Sequence, residues 1–180
     1  MQRHDFDPFE YANKITQANP KGILLTTAAD GKVDTMVIGW GMIGTVWSIP
    51  TFIAFVRTSR HTYDLLEQTG EFTINIPHER LDPRVMKIAG LQSGRHVDKI
   101  AELGLTLVES EVVAAPAIAE APITLECQVM YKQLFDASAM PEDILINNYP
   151  ADVTDIDALG SCYQHVAYYS EIVASYVLED

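Results

Sequence analysis

Gly39-Trp40-Gly41-Met42-Ile43-Gly44-Thr45-Val46-Trp47-Ser48-Ile49-Pro50 is the stretch on which the fold turns. Its first six residues have GxGxxG spacing, and Asp64 lies where an acidic ribose ligand would be sought. That spacing serves a dinucleotide only where a helix begins at the glycines, because the free N–H groups of the helix N-terminus meet the pyrophosphate. Thr45 to Pro50 runs into another β-rich segment instead, so a Rossmann unit is rejected. Two uses of the glycines stay open. They form a bulge at a barrel corner with Trp40 and Trp47 in the core, or they leave bare main chain for a flat ring, with the tryptophans as walls.

Working outward, Gly22 to Ala29 and Val33 to Ile38 are apolar, Thr-rich runs joined by Asp30-Gly31, the composition of a hairpin with a tight primed turn. Before them, Phe9, Ala12, Ile15 and Thr16 recur at helical spacing within Pro8 to Ala18. After them, Thr51 to Val56 reads as a strand, His61 to Gln68 as a helix with Gly70 near its C-cap, and Phe72 to Ile76 as a strand ended by Pro77. Two short helical patterns follow between Asp82 and Leu103, with Asp82 suited to the N-cap and Pro83 to the first turn. Ile123, Leu125, Cys127, Val129 and Tyr131 alternate with Thr124, Glu126, Gln128, Met130 and Lys132, which predicts a half-buried strand with one wet face. Residues 136–161 form a long excursion with a helical turn near Glu142, and Gln164 to Leu178 returns to strand. No repeat or linker interrupts the chain, so residues 1–180 are expected to form one domain that is mainly β with inserted helices, an antiparallel barrel.

A net charge of -13, from 25 acidic against 12 basic residues, repels phosphate backbones and anionic lipid, so nucleic acid and membrane are not expected partners. The N-terminus lacks an apolar stretch with a cleavage site, and no apolar run approaches the roughly 18 residues that span a bilayer. A cytoplasmic location follows as the expectation. Cys127 and Cys162 form no CxxC pair and read as reduced thiols. Cys162 and His165 have CxxH spacing without further ligands nearby, so no metal is expected.

Three blocks carry a wider resemblance: Thr35-Met36-Val37-Ile38-Gly39-Trp40-Gly41, Val56-Arg57-Thr58-Ser59-Arg60-His61-Thr62-Tyr63, and Phe72-Thr73-Ile74-Asn75. Ser93 to Ile100 with Gly104-Leu105-Thr106, Ala121 to Cys127, and His165 with Tyr169 to Val173 extend it, so that it covers residues from about 20 to 174. Together they resemble the flavin reductase-like FMN-binding split-barrel family, which includes flavoredoxin. The resemblance implies a Greek-key-like split β-barrel and a homodimer. It also implies FMN, with its ring along Thr35, Met36, Val37, Ile38, Gly39, Trp40 and Gly41 and its phosphate at the Arg57 to Thr62 segment. The chemistry of that segment agrees: Arg57 and Arg60 offer guanidinium forks, Ser59 and Thr62 offer hydroxyls, and a helix start near His61 offers backbone N–H groups. A solvated loop pairing with surface carboxylates is the plain alternative. Lys99 is either an exposed helix residue pairing with Asp98 or Glu102, or, by resemblance, reaches the flavin phosphate or ring edge. His165 is either a hydrogen-bonded barrel histidine or lies at the substrate face of the ring.

The chain departs from the family pattern at Asp34, where Asn is common, and at Thr58, His96 and Ser170. A carboxylate at Asp34 opposes an anionic reduced flavin unless it points into water. The expected function is an FMN-dependent oxidoreductase. Electrons would pass from NADH or NADPH through FMN to a flavin, a metal complex or a protein, with no catalytic acid assigned. The alternative is a non-catalytic FMN-binding electron carrier fed by a redox partner protein. An oxidase on the same barrel, or an empty barrel, is a third possibility.

Overall fold

A computed structural model describes residues 1–149 and 164–179. In chain order it comprises β1 (Gln2–Asp5), α1 (Ala12–Ala18), β2 (Ile23–Ala29), β3 (Lys32–Ile38), β4 (Gly41–Val46), β5 (Ile49–Arg57), α2 (His61–Thr69) and β6 (Glu71–Ile76). Then follow α3 (Pro83–Leu91), α4 (Lys99–Leu103), β7 (Leu107–Val108), β8 (Ala117–Ile118), β9 (Ile123–Leu134), α5 (Glu142–Asn148) and β10 (His165–Glu179). The main sheet runs β3-β2-β6-β9-β10-β5-β4 with β1 added to β10, every pairing antiparallel. This is the mainly β, helix-inserted architecture expected.

Local signals fix the corners. Asp30 and Gly31 sit at φ 51° and 74°, the left-handed pair that a two-residue primed turn requires. Gly70 and Gly104 cap α2 and α4 in left-handed geometry, and the Asp82 carboxylate accepts from the Arg84 N–H at the start of α3. The glycine stretch departs from expectation. Gly41 to Gly44 is no bulge but the strand β4, paired in register with β5 through a turn at Trp47 and Ser48, both at positive φ. At Gly41 a Cβ would lie 2.8 Å from the Phe52 ring, so a core aromatic accounts for that glycine. Trp40 and Trp47 are 42% and 65% exposed, so neither belongs to the core. The first helix starts at Ala12 rather than Pro8, and β1 precedes it.

Inside the curled sheet, period-two residues meet: Ile23 and Leu25, Met36 and Ile38, Phe52 and Val56, Phe72 and Ile74, Leu125 and Cys127, Val166 and Tyr168. Each fully buried aliphatic or aromatic side chain here stabilises the fold by about 1.5–3 kcal/mol. A second cluster, including Leu24, Val85, Leu105 and Ile118, seats α3 and the 105–121 segment on the outer face.

That outer layer corrects the expectation of a wet face over the first half of β9, while Lys132 toward its end is exposed as expected. Thr124 and Glu126 are fully buried. The Glu126 carboxylate accepts from the N–H groups of Glu111 (2.7 Å), Val112 (2.7 Å) and Val113 (3.1 Å) and from the Tyr176 hydroxyl (2.8 Å). The loop brings donors to the charge, so the charge tolerates burial. Of the 136–161 excursion, the described part forms a 3-10 turn at Ala137–Ala139 and α5; the remainder, with Cys162, lies outside the described residues. Replacing Glu126 by Ala leaves three loop amides and a phenol without their acceptor and should cost about 3 kcal/mol or more. A urea titration checks this, and a loss below about 1 kcal/mol would show that the loop is held otherwise.

Candidate functional site

β3 and β4 are the two ends of the sheet order, and beside β3 opens a cleft of about 140 Å³ lined by Met36, Val37, Ile38, Gly39, Trp40, Phe55, Arg57, Arg60 and His165. Strand registry assembles it. His165 opens β10 directly opposite Arg57 on β5, so both side chains leave the sheet on one face, while Val56 and Val166 turn into the core. Phe55, two residues before Arg57, shares that face. Arg60 is the N-cap of α2 in extended geometry, and no side chain caps that end. Arg57 and Arg60 thus reach the cleft from the last residue of β5 and the N-cap of α2.

Neither Arg57 nor Arg60 ion-pairs with a carboxylate among the described residues. Arg57 donates to the Asn148 carbonyl at 3.2 Å and lies over the Tyr149 ring, 5.8 Å from its centroid. Burial, and next the charge of Arg57, push the Arg60 pKa down, with Asp34 opposing. Two cations crowded in a half-dry cleft favour an anion between them.

His165 sits at the hub of an aromatic cluster. Its ring lies 4.7 Å from Trp40, 5.5 Å from Tyr149 and 6.1 Å from Phe135, and its Nδ1 is hydrogen-bonded to the Tyr149 hydroxyl at 2.7 Å. Burial, followed by Arg57 and Arg60, lowers its pKa to about 3, so the imidazole is neutral near pH 7. His165 is therefore a hydrogen-bonded barrel histidine that also lines the cleft.

The structure does not gather every residue named from sequence. Thr35 is buried and turns its hydroxyl to Thr26 (2.9 Å) and the Leu25 carbonyl (3.3 Å). Thr62 is equally buried, and its hydroxyl donates to Met36 Sδ at 2.8 Å. Ser59 is half-buried, and its carbonyl accepts from Arg95, which also pairs with Asp64 at 2.6 Å. Lys99 is 3% exposed and pairs with neither Asp98 nor Glu102 but with Asp34. Asp34, likewise 3% exposed, does not point into water. Two cleft-side aromatics were missed. Phe55 was findable from its two-residue spacing to Arg57, whereas Tyr149 comes from the excursion and carried no signal. Among the described residues no cluster of three metal-ligating side chains occurs, and no helix is long and apolar enough to cross a membrane.

Comparison with known proteins places this geometry. The profile of the flavin reductase like domain matches residues 16–177. An uncharacterized protein of Archaeoglobus fulgidus is 32% identical over 121 residues, 67% of each chain, while the matched part of an Aeropyrum pernix relative, 28% identical over 60% of this chain, is 41% of that protein. Among solved structures, the flavoredoxin of Methanosarcina acetivorans superposes with a TM-score of 0.65 at 23% identity, covering 88% of this chain and 69% of that one. The flavoredoxin of Desulfovibrio vulgaris does so with a TM-score of 0.61 at 26% identity and the same coverage.

The neutral His165 makes stability depend on pH in a fixed direction. Unfolded, the imidazole takes a proton below about 6.5, while the folded protein resists it down to about 3. Between those values the unfolded state binds more protons, so stability falls as pH falls, by up to about 1.4 kcal/mol per pH unit. Urea titrations from pH 7 to pH 4 should show a shallower acid decline for His165→Asn than for the parent; equal slopes would place the acid sensitivity elsewhere.

Proposed function

The chain belongs to the flavin reductase-like domain family, and from that premise we propose that it binds FMN in the cleft beside β3 and works as an oxidoreductase on electrons carried by that cofactor. The observation that carries this reading is the pair of guanidiniums, Arg57 and Arg60, with no carboxylate ion-paired to either among the described residues and the uncapped start of α2 beside them. In a chain of net charge -13 such a local excess of positive charge suits a phosphate dianion. Among the described residues β3 pairs with β2 alone, which leaves main-chain groups along Met36 to Ile38 to face a flat, hydrogen-bonding ring, and Trp40 flanks them.

The residues fit the group in kind: guanidiniums for the phosphate, bare strand and an indole for the ring. FMN supplies the two-electron carrier. Arg57 and Arg60 bind and orient the phosphate, Gly39 allows close approach, and Trp40 covers apolar ring surface. His165, neutral and fixed by Tyr149, adds a hydrogen-bonding wall without adding charge. NADH or NADPH is the proposed electron source, and the acceptor is a flavin, a metal complex or a protein. A homodimer in the cytoplasm completes the reading; Met42 and Trp47, 53% and 65% exposed on or beside the edge strand β4, are the kind of apolar surface a second copy covers. The likeness to two flavoredoxins supports a second reading, a carrier reduced by a partner protein.

Titrating FMN into the protein should quench tryptophan fluorescence through Trp40. Arg60→Ala should weaken binding by about 1.5–3 kcal/mol, roughly ten- to a hundredfold, and unchanged affinity removes Arg60 from the site. Mixing the FMN-loaded protein with NADH or NADPH without oxygen should bleach the flavin absorbance. Failure with both donors favours the carrier.

A further inference from the structure

Beside α3 a second cavity opens, and it shares no lining residue with the cleft. It holds about 330 Å³ and is bounded by β2, residues 80–82, α3, the end of α4 and the 105–121 segment. Ligand pockets of about this size and larger combine a mostly apolar lining with a few polar groups that fix orientation. Here Leu24, Val85 and Leu105 form the floor, at 1%, 8% and 8% exposure, with Leu81 and Leu103 half-buried beside them. Arg80, Asp82, Arg84 and Glu120 are exposed and ring the mouth.

The walls are tied together. The Asp82 carboxylate accepts from the Arg84 N–H at 2.6 Å where α3 starts. The Arg84 guanidinium donates to the Glu102 carbonyl at 2.6 Å and pairs with the Glu102 carboxylate at 3.5 Å, which joins α3 to α4. Both oxygens of Glu120 accept from the Thr106 N–H, at 3.0 and 3.1 Å. The two carboxylates and one of the two guanidiniums at the mouth are thus engaged by the protein itself. Arg80 is not: among the described residues its side chain makes no hydrogen bond and no ion pair.

An apolar floor below one uncommitted guanidinium selects a ligand chemistry. Each methylene that the floor takes out of water strengthens binding by up to about fourfold, and a guanidinium fork matches a carboxylate in plane and spacing. We propose that this cavity binds a small amphipathic monocarboxylate, with its alkyl body on Leu24, Val85 and Leu105 and its head on Arg80. The site stands apart from the cofactor reading, and neither depends on the other. Asp82 and Glu120 would draw an ammonium head instead, so the sign of the preferred charge decides.

NMR titrations of the ¹⁵N-labelled protein with hexanoate, 1-hexanol, hexylammonium and acetate read affinity and location together. Hexanoate should shift the amides of Leu24, Val85 and Leu105 saturably and bind about fivefold tighter than 1-hexanol or hexylammonium. Acetate, which has the head without the body, should leave those amides unmoved. Arg80→Ala removes an exposed side chain that belongs to neither of the two larger apolar clusters, and it should bring hexanoate down to the affinity of 1-hexanol. Equal binding of hexanoate and 1-hexanol, tighter binding of hexylammonium, acetate binding as well as hexanoate, or an Arg80→Ala protein that keeps the preference overturns the proposal. So does a hexanoate titration whose shifts fall at Met36 to Trp40 and His165 instead, because Arg57 and Arg60 then take the anion. Absence of a saturable shift with all four probes overturns it as well.

Discussion

One strand holds the molecule together: β10 pairs with β9, β5 and β1, and each pairing places a different part of the protein. Toward β9 it builds the centre of the sheet, with register shifts near Tyr169 and Ile172 that let so long a ribbon bend. Toward β5 it sets His165 opposite Arg57, which puts an imidazole and a guanidinium on the same face at the mouth of the cleft. A slip of one residue in that register would send Arg57 into the apolar core and Val56 into the cleft. The site is therefore a product of strand registry more than of loops.

Electrostatics then divides the cleft into two layers. The front layer, Arg57 and Arg60 with a neutral His165, carries positive charge in a strongly acidic chain. A second layer pairs Asp34 with Lys99, both buried, where solvent cannot screen them. Lys99 also donates to the Thr35 carbonyl, which ties the pair to β3, and Arg60 lies within the field of both members. The proposed cofactor role draws on the front layer.

Much of the architecture was legible in the chain. Asp30-Gly31, Gly70, Gly104 and Asp82 announced their turns and caps because each needs a backbone geometry or an acceptor that few residues supply. The GxGxxG stretch is kept from a Rossmann unit because β-formers follow it, and at Gly41 the Phe52 side chain leaves no room for a Cβ. Side-chain direction was the weak point. Thr62 reads as a phosphate donor, and its hydroxyl meets Met36; Lys99 reads as exposed or as reaching the flavin, and it is buried against Asp34, 65 residues away in sequence. Alternation on β9 suggested a wet face because Thr124 and Glu126 are polar, and nothing local in the sequence tells that a distant loop brings amides to cover them.

Those amides belong to the main chain, and that bears on how the protein can change. A loop fastened by its peptide groups leaves its side chains uncommitted: Val112 projects outward, 53% exposed, while its N–H grips the buried carboxylate. Val112 can thus exchange nearly any side chain for another and keep its course, proline excepted, since it has no N–H to give, whereas Val113 stays buried. The anchor has no such freedom. Inheritance can rewrite the outer surface of this segment letter by letter while one glutamate, never in contact with solvent, holds its shape constant.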